Sequence, residues 1–225
     1  MHILLVTATP FEIQPLVDYL KLGKFPRHDQ TYQWGRLQVS ICVSGLGGTV
    51  TAFNFTEALQ KFKPDFCLQV GVAGSFDLSR QLTSIVAVKQ ETFGDLGVDD
   101  RGQYQDFFET GLLQPNEFPF QNKNLVNDTA AFPFGVHLPW VHSLSVQTVS
   151  GSEALVALRR GLFNCDIENM EGAAFHYICL MKQIPFLQVR AISNYVKPRN
   201  RNNWQMPQAI QSLHEWLLQA LQQVE

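Results

Sequence analysis

The sequence predicts an α/β protein, a three-layer α/β/α sandwich built on a central mixed sheet. Short apolar runs rich in valine, isoleucine and phenylalanine alternate along the chain with longer segments of helical period. Strands that are apolar almost without interruption belong to a sheet covered on both faces. The residues able to carry chemistry fall just past the ends of the predicted strands, where ligands gather in sheets of this kind. The chain has 225 residues, with 15 glycines and 11 prolines spread along it. It shows no glycine-serine linker, charge run, low-complexity stretch or internal repeat, so it reads as a single domain over residues 1–225.

The elements follow in order. His2–Thr7 is a buried first strand. Thr9-Pro10-Phe11-Glu12 then opens a helix, with threonine as N-cap, proline in the first turn and a glutamate three residues past the cap. Pro15 requires this helix to kink or to begin late. Thr31–Trp34 and Leu37–Val43 pair as a hairpin through Gly35-Arg36. After the turn Ser44-Gly45-Leu46-Gly47-Gly48, the spacing of Val50, Phe53, Ala58, Leu59 and Phe62 predicts a helix ended by Pro64-Asp65. Residues 66–71 and 85–88 are strands, and residues 91–140 are irregular, with aromatic, proline-containing stretches. A strand over 144–149, a helix over 152–161, a strand over 165–168, a helix over 171–182 and a strand over 186–192 restore the alternation. An amphipathic helix over 207–224 closes the chain.

Composition narrows the function classes. Charged residues are only 16% and the formal net charge is −3, so no basic face is available for nucleic acid. So low a charge content suggests that a partner subunit covers part of the surface. Cys42, Cys67, Cys165 and Cys179 each sit in an apolar stretch and lack the paired spacing of a zinc site. They read as reduced thiols of a cytoplasmic protein. The first apolar run is too short, and lacks a preceding cationic region, for a signal peptide. No window approaches the length of a membrane span, so no membrane partner is expected.

Three segments after strands hold the informative residues: Thr7 to Glu12, Glu168 to Gly172 and Arg190 to Asn194. A fourth, Gly71-Val72-Ala73-Gly74-Ser75, offers small residues where backbone can approach a flat ligand. Each alone has a structural reading beside the functional one. Glu12 completes a capping box, Glu171 complements a helix dipole, and Arg190 forms an ion pair inside an apolar strand. The glycine turn at 45–48 lacks the lysine and serine of a phosphate-binding loop, and Gly71-Val72-Ala73-Gly74 is no dinucleotide fingerprint.

The combination is more specific. Ala8 to Glu12, Lys63-Pro64-Asp65 leading to Gly71-Val72-Ala73-Gly74, Asn169-Met170-Glu171-Gly172-Ala173-Ala174 and Val189-Arg190-Ala191-Ile192-Ser193-Asn194 occur in that order. This order resembles the nucleoside phosphorylase and nucleosidase superfamily, most of all its hydrolytic branch of methylthioadenosine/adenosylhomocysteine nucleosidases. The resemblance implies a nucleoside phosphorylase-like fold, a small-molecule nucleoside substrate, no metal or redox cofactor, and a homodimer or larger homo-oligomer. It implies that Glu12 deprotonates the attacking water, that Met170 packs on the ribose, and that Glu171 bonds the 2′- and 3′-hydroxyls. The same resemblance implies that Arg190 organises water and carboxylates and that Ala73 and Gly74 lie beside the base.

One departure bears on the substrate. That branch carries aspartate where this chain has Asn194. An amide cannot protonate a leaving base at neutral pH, but it presents one donor and one acceptor, a pattern suited to a 6-oxopurine. A 6-oxopurine reader combined with Glu12 resembles the futalosine hydrolase family, as do Phe93-Gly94-Asp95-Leu96-Gly97 and the segment from Asn194 to Arg201. In that family the reaction releases hypoxanthine and passes dehypoxanthinyl futalosine into menaquinone synthesis. Arg199 or Arg201 is expected near the substrate carboxylate, with an exposed basic loop as the other reading. Three alternatives stay open: a 6-oxopurine nucleoside phosphorylase, a nucleosidase for 6-aminopurines, and a catalytically silent purine-binding protein. A phosphorylase needs basic side chains at a phosphate site, whereas the first strand here leads to a carboxylate.

Overall fold

The computed structural model describes residues 1–28, 30–129, 133–134 and 137–224. Part of the segment predicted as irregular, residues 130–132, 135 and 136, lies outside the described residues. The elements are β1 (His2–Thr7), α1 (Pro10–Leu22), β2 (Arg27–His28), β3 (Thr31–Trp34), β4 (Leu37–Val43), α2 (Gly48–Phe62), β5 (Phe66–Ser75) and β6 (Ile85–Phe93). They continue with β7 (Gly97–Asp100), β8 (Gln103–Asp106), β9 (Leu125–Val126), β10 (Trp140–Ser145), α3 (Glu153–Leu162), β11 (Ile167–Asn169), α4 (Gly172–Lys182), β12 (Phe186–Tyr195) and α5 (Met206–Val224).

The sheet is mixed, in the order β11-β10-β6-β12-β5-β1-β4-β3-β2, with β9 added beside β6. Its central strands are buried on both faces because successive side chains point to opposite sides. Ile3 and Leu5 of β1 pack with Leu16 and Leu20 of α1 and Leu213 and Leu217 of α5. Leu4 and Val6 of the same strand pack with Phe55 and Leu59 of α2 and Phe175 of α4. The predicted three layers are thus two helical layers clasping one sheet. At one end β11 also pairs antiparallel with β5, so β5, β12, β6, β10 and β11 close into a ring. Ala73, Val86, Val88, Val141, Ile167 and Ile192, drawn from all five strands, fill its interior.

The structure corrects several predicted boundaries. Helix α1 begins at Pro10 and runs through Pro15. Proline there removes a bond only from the carbonyl of the exposed Phe11, where water can substitute. The strand predicted over 144–149 is Trp140–Ser145. Polar Ser143 and Ser145 masked its inward face, yet both are buried, because they serve a polar cluster rather than an apolar one. The segments around Gly71-Val72-Ala73-Gly74 and Arg190 to Asn194, read as loops after strands, are strand throughout. They pair with each other in parallel register, Arg190 opposite Gly71 and Asn194 opposite Gly74. Within 91–140 the chain completes β6, forms the β7–β8 hairpin and adds β9. Among the described residues, no helix is long and apolar enough to cross a membrane.

Candidate active site

A cleft of about 570 Å³ opens where β1, β5, β11 and β12 end, and Glu12, Ala73, Met170, Glu171, Asn194 and Arg199 are among its walls. Helix α1 brings in Glu12, which is only 9% exposed. Its Oε2 accepts from the Thr9 backbone N–H and the Thr9 hydroxyl, both at 3.0 Å, and from the Thr7 hydroxyl at 3.3 Å. Its Oε1 accepts from Val72 N–H at 3.1 Å. The capping reading and the functional reading of Glu12 are therefore compatible. The same carboxylate that closes the helix start is aimed across the sheet at β5.

Arg190 comes from the middle of β12 and is 1% exposed. Its side chain crosses Gly71, its partner in register. A Cβ on Gly71 would stand 2.6 Å from Arg190 Nη1 and 2.9 Å from Glu12 Oε1. Gly71 is thus the gap that the Arg190 and Glu12 side chains both approach, not a backbone platform for a ligand. A buried guanidinium is tolerated only where its N–H groups find acceptors. Nη2 donates to Gln69 Oε1 at 3.1 Å and to Asn169 Oδ1 at 3.2 Å, while Nη1 lies 3.7 Å from Glu171 Oε2.

Strand β11 and the start of α4 supply the third wall. Asn169 Oδ1 accepts from the backbone N–H groups of Glu171 and Gly172, satisfying the first turn of α4. Glu171 is thereby released from capping its own helix. Its Oε1 instead accepts from Gly47 N–H at 3.1 Å, at the N-terminus of α2. The expected dipole interaction exists, with a different helix. Burial raises the Glu171 pKa above the ordinary carboxylate value, and nearby Arg190 opposes that rise. Met170 lines the cleft beside it.

Beneath this wall lies a carboxyl that the sequence reading missed. Glu91 on β6 is fully buried. Its Oε1 accepts from Asn169 Nδ2 at 2.7 Å and Gln188 Nε2 at 2.8 Å, and its Oε2 from the Ser145 hydroxyl at 2.9 Å. Burial pushes its pKa up, against those donors and Arg190. In the sequence Glu91 stands among Lys89, Gln90 and Thr92, past the apolar run 85–88, so the pattern did not mark it.

At the other end of the cleft, Asn194 leans over Gly74, where an added Cβ would meet its Nδ2 at 3.1 Å. The Asn194 Oδ1 accepts from the Ser193 hydroxyl and its Nδ2 donates to Tyr195 C=O. One Nδ2 hydrogen and one Oδ1 lone pair remain for a ligand. Glu168, also missed as a site residue, lines this end, held by Ser150 and Arg159. Arg199 joins it, its guanidinium 5.6 Å from the Trp204 ring centroid. Arg201 is exposed on the 3-10 turn Arg201–Asn203 and is not among the residues lining the cleft. Phe93 and Phe108 pack on Phe120, and Tyr104 on Phe163, away from the cleft walls. Among the described residues no three His, Cys, Asp or Glu side chains converge as a metal-binding group.

Chemically, the cleft offers a carboxylate at one end, an amide and a carboxylate at the other, and a buried carboxylate–guanidinium pair between them. Comparison with known proteins identifies the family and the fold. The phosphorylase superfamily profile matches residues 2–222. Futalosine hydrolase of Thermus thermophilus is 28% identical over 175 residues, covering 76% of this chain and 75% of that protein. The 5′-methylthioadenosine/S-adenosylhomocysteine nucleosidase of Aeromonas salmonicida is 28% identical over 162 residues, covering 70% of this chain and 68% of that protein. The native structure of Helicobacter pylori futalosine hydrolase superposes with a TM-score of 0.79 at 15% identity, covering 99% of this chain and 97% of that one. The Colwellia psychrerythraea methylthioadenosine/adenosylhomocysteine nucleosidase, in complex with adenine, gives 0.79 at 19% identity over 100% of this chain and 96% of that one. With a profile match over nearly its whole length and the fold to accompany it, the chain belongs to the phosphorylase superfamily.

Proposed function

We propose that this protein is a purine nucleosidase that hydrolyses the N-ribosidic bond of futalosine, releasing hypoxanthine and dehypoxanthinyl futalosine for menaquinone synthesis. The observation that carries the hydrolytic reading is Glu12, a carboxylate held by four donors and facing the cleft shared with Glu171. Where a phosphorylase needs cations for phosphate, this end of the cleft presents an anion. Glu12 takes a proton from water as the oxygen bonds to C1′. The C1′–N9 bond breaks and its electron pair passes into the purine, which takes up a proton at N7 from solvent water and leaves as neutral hypoxanthine. Glu171 accepts hydrogen bonds from the ribose hydroxyls, and the two carboxylates stabilise the oxocarbenium character that develops on the sugar. Arg190, its Nη1 3.7 Å from Glu171 Oε2, offsets the charge of that carboxylate.

The choice of futalosine rests on Asn194, whose free donor and acceptor match a 6-oxo group and an N7–H, and on Arg199 as a partner for a carboxylate on the 5′ substituent. Charge-neutral substitution of Arg199 and Arg201 together raises KM for futalosine and spares inosine; equal losses on both substrates would remove the carboxylate from this account. The curated methylthioadenosine/adenosylhomocysteine nucleosidases keep a 6-aminopurine reading as the second candidate. The exposed side chains of Phe11 and Leu46 at the cleft, and of Val50 and Phe53 on α2, support a homodimer or larger homo-oligomer. The four free cysteines support a cytoplasmic location.

The deciding experiment is base release from futalosine, inosine and methylthioadenosine in phosphate-free buffer, then with phosphate added. Rapid hypoxanthine release from futalosine without phosphate is the expected result. Turnover only with phosphate would make the protein a phosphorylase. Preference for methylthioadenosine would reassign Asn194, and hypoxanthine binding without any ribose release would leave a binding protein.

A further inference from the structure

The end of the cleft around Gly74 holds more chemistry than Asn194 alone accounts for. In the sheet, Gly74 is flanked in register by Asn194 of β12 on one side and by Glu168 of β11 on the other. Residues opposite one another in paired strands project to the same face. The missing side chain of Gly74 makes room for the Asn194 amide and Val196, and the slot beside it in the cleft has that amide on one flank and the Glu168 carboxylate on the other.

The carboxylate is fixed in place. Glu168 Oε2 accepts from the Ser150 hydroxyl at 2.6 Å and from Arg159 Nη1 at 2.9 Å. Its Oε1 accepts from Ser150 N–H at 2.8 Å, and no second described donor reaches that oxygen. Arg159, in the last turn of α3, is buried and approaches Asp95 Oδ2 at 3.8 Å. Asp95 in turn accepts from Gln147 N–H at 2.6 Å. Both loops beside the slot are thus tied to one arginine–carboxylate frame, and Asp95 of the Phe93-Gly94-Asp95-Leu96-Gly97 motif is its outer post. A loop-pinning role alone needs no carboxylate at the cleft wall with an unclaimed lone pair.

We infer that Glu168 is the second base-reading residue, its Oε1 accepting the N1–H of a 6-oxopurine while the Asn194 amide donates to O6. This rests on the 6-oxopurine reading above. The pair discriminates by mismatch. A 6-aminopurine offers an amino group to the Asn194 donor and a bare N1 lone pair to the carboxylate, so both contacts turn repulsive.

The test is equilibrium binding of hypoxanthine, 1-methylhypoxanthine and adenine to the intact protein and to Glu168→Gln. Wild type is expected to bind hypoxanthine about 10- to 100-fold more tightly than 1-methylhypoxanthine, as for loss of a hydrogen bond to a charged group. In Glu168→Gln the hypoxanthine affinity falls by about tenfold or more while that of 1-methylhypoxanthine changes little, closing the gap. A purely structural role would weaken both ligands together, and that result would overturn the inference. Equal binding of hypoxanthine and 1-methylhypoxanthine by wild type would overturn it even if the variant failed to fold. Hypoxanthine preferred over adenine without any dependence on Glu168 would remove Glu168 and leave the 6-oxopurine reading intact. Adenine preferred by wild type would remove both.

Discussion

Replacing Gly71 with alanine tests whether the site works because two side chains cross at one glycine. The added methyl would stand 2.6 Å from Arg190 Nη1 and 2.9 Å from Glu12 Oε1, against about 3.4 Å for ordinary contact. Arg190 must therefore withdraw by about 0.8 Å and Glu12 by about 0.5 Å. Neither has free room. If Arg190 retreats, its 3.1 Å bond to Gln69 stretches or its approach to Glu171 opens, and a bond lengthened that far is no longer a hydrogen bond. If Glu12 retreats, it leaves Val72 N–H. Overpacking of this size costs about 1–3 kcal/mol of stability. A misplacement approaching 1 Å of a reacting group costs about 10²-fold in rate. The assay is single-turnover base release beside urea unfolding. Gly161→Ala serves as the control, because a Cβ on Gly161 in α3 meets nothing within 4 Å and alanine favours a helix. Gly71→Ala with wild-type turnover and stability would refute the crossing as a requirement of the site.

Three further outcomes are expected. Glu12→Gln keeps the side chain's size but cannot take a proton; kcat falls by about 10²–10⁴ while KM changes little, and a loss confined to KM would make Glu12 a binding group only. Asn194→Asp places a carboxylate against Tyr195 C=O, which now receives an amide N–H. The ratio of kcat/KM for inosine-type over adenosine-type substrates drops at least tenfold, and an unchanged ratio would take base choice away from this residue. His176 is fully buried, its Nδ1 at the Leu125 carbonyl, and burial pushes its pKa down to about 3. The native state stays neutral there while the unfolded chain binds a proton below about pH 6.5. Stability is therefore complete above that pH and falls by about 1.4 kcal/mol per pH unit as the pH drops toward 3. Urea midpoints at pH 7 and pH 4.5 check this, and His176→Leu with the same acid loss as wild type would refute it.

Much of the molecule was readable from the chain itself because local patterns have local causes. The apolar run of β1, the Thr9-Pro10 helix start and the Gly35-Arg36 hairpin needed no distant partner to be recognised, and each stands where the pattern placed it. The family motifs also brought Glu12, Met170, Glu171, Arg190 and Asn194 to attention, and the fold gathers all five around one cavity or its floor. Arg199 reaches that cavity, whereas Arg201, two residues on, does not line it.

What remained hidden were polar residues inside strands. Glu91, Gln188 and Ser145 carry no local signal of their role, which appears only when three separate strands bring Glu91 and Ser145 to Asn169 and Gln188 to Glu91. The same is true of the slot at Gly74, whose flanks lie 94 and 120 residues further along the chain. By itself, the sequence determined the α/β alternation, a sheet covered on both faces and the residue types of the candidate site, because these depend on side-chain period and chemistry. Only the tertiary structure decided which helix N-terminus Glu171 satisfies, which glycine Arg190 crosses and which carboxylate faces Asn194. Those depend on strand register, and register is set by pairings between segments far apart in sequence.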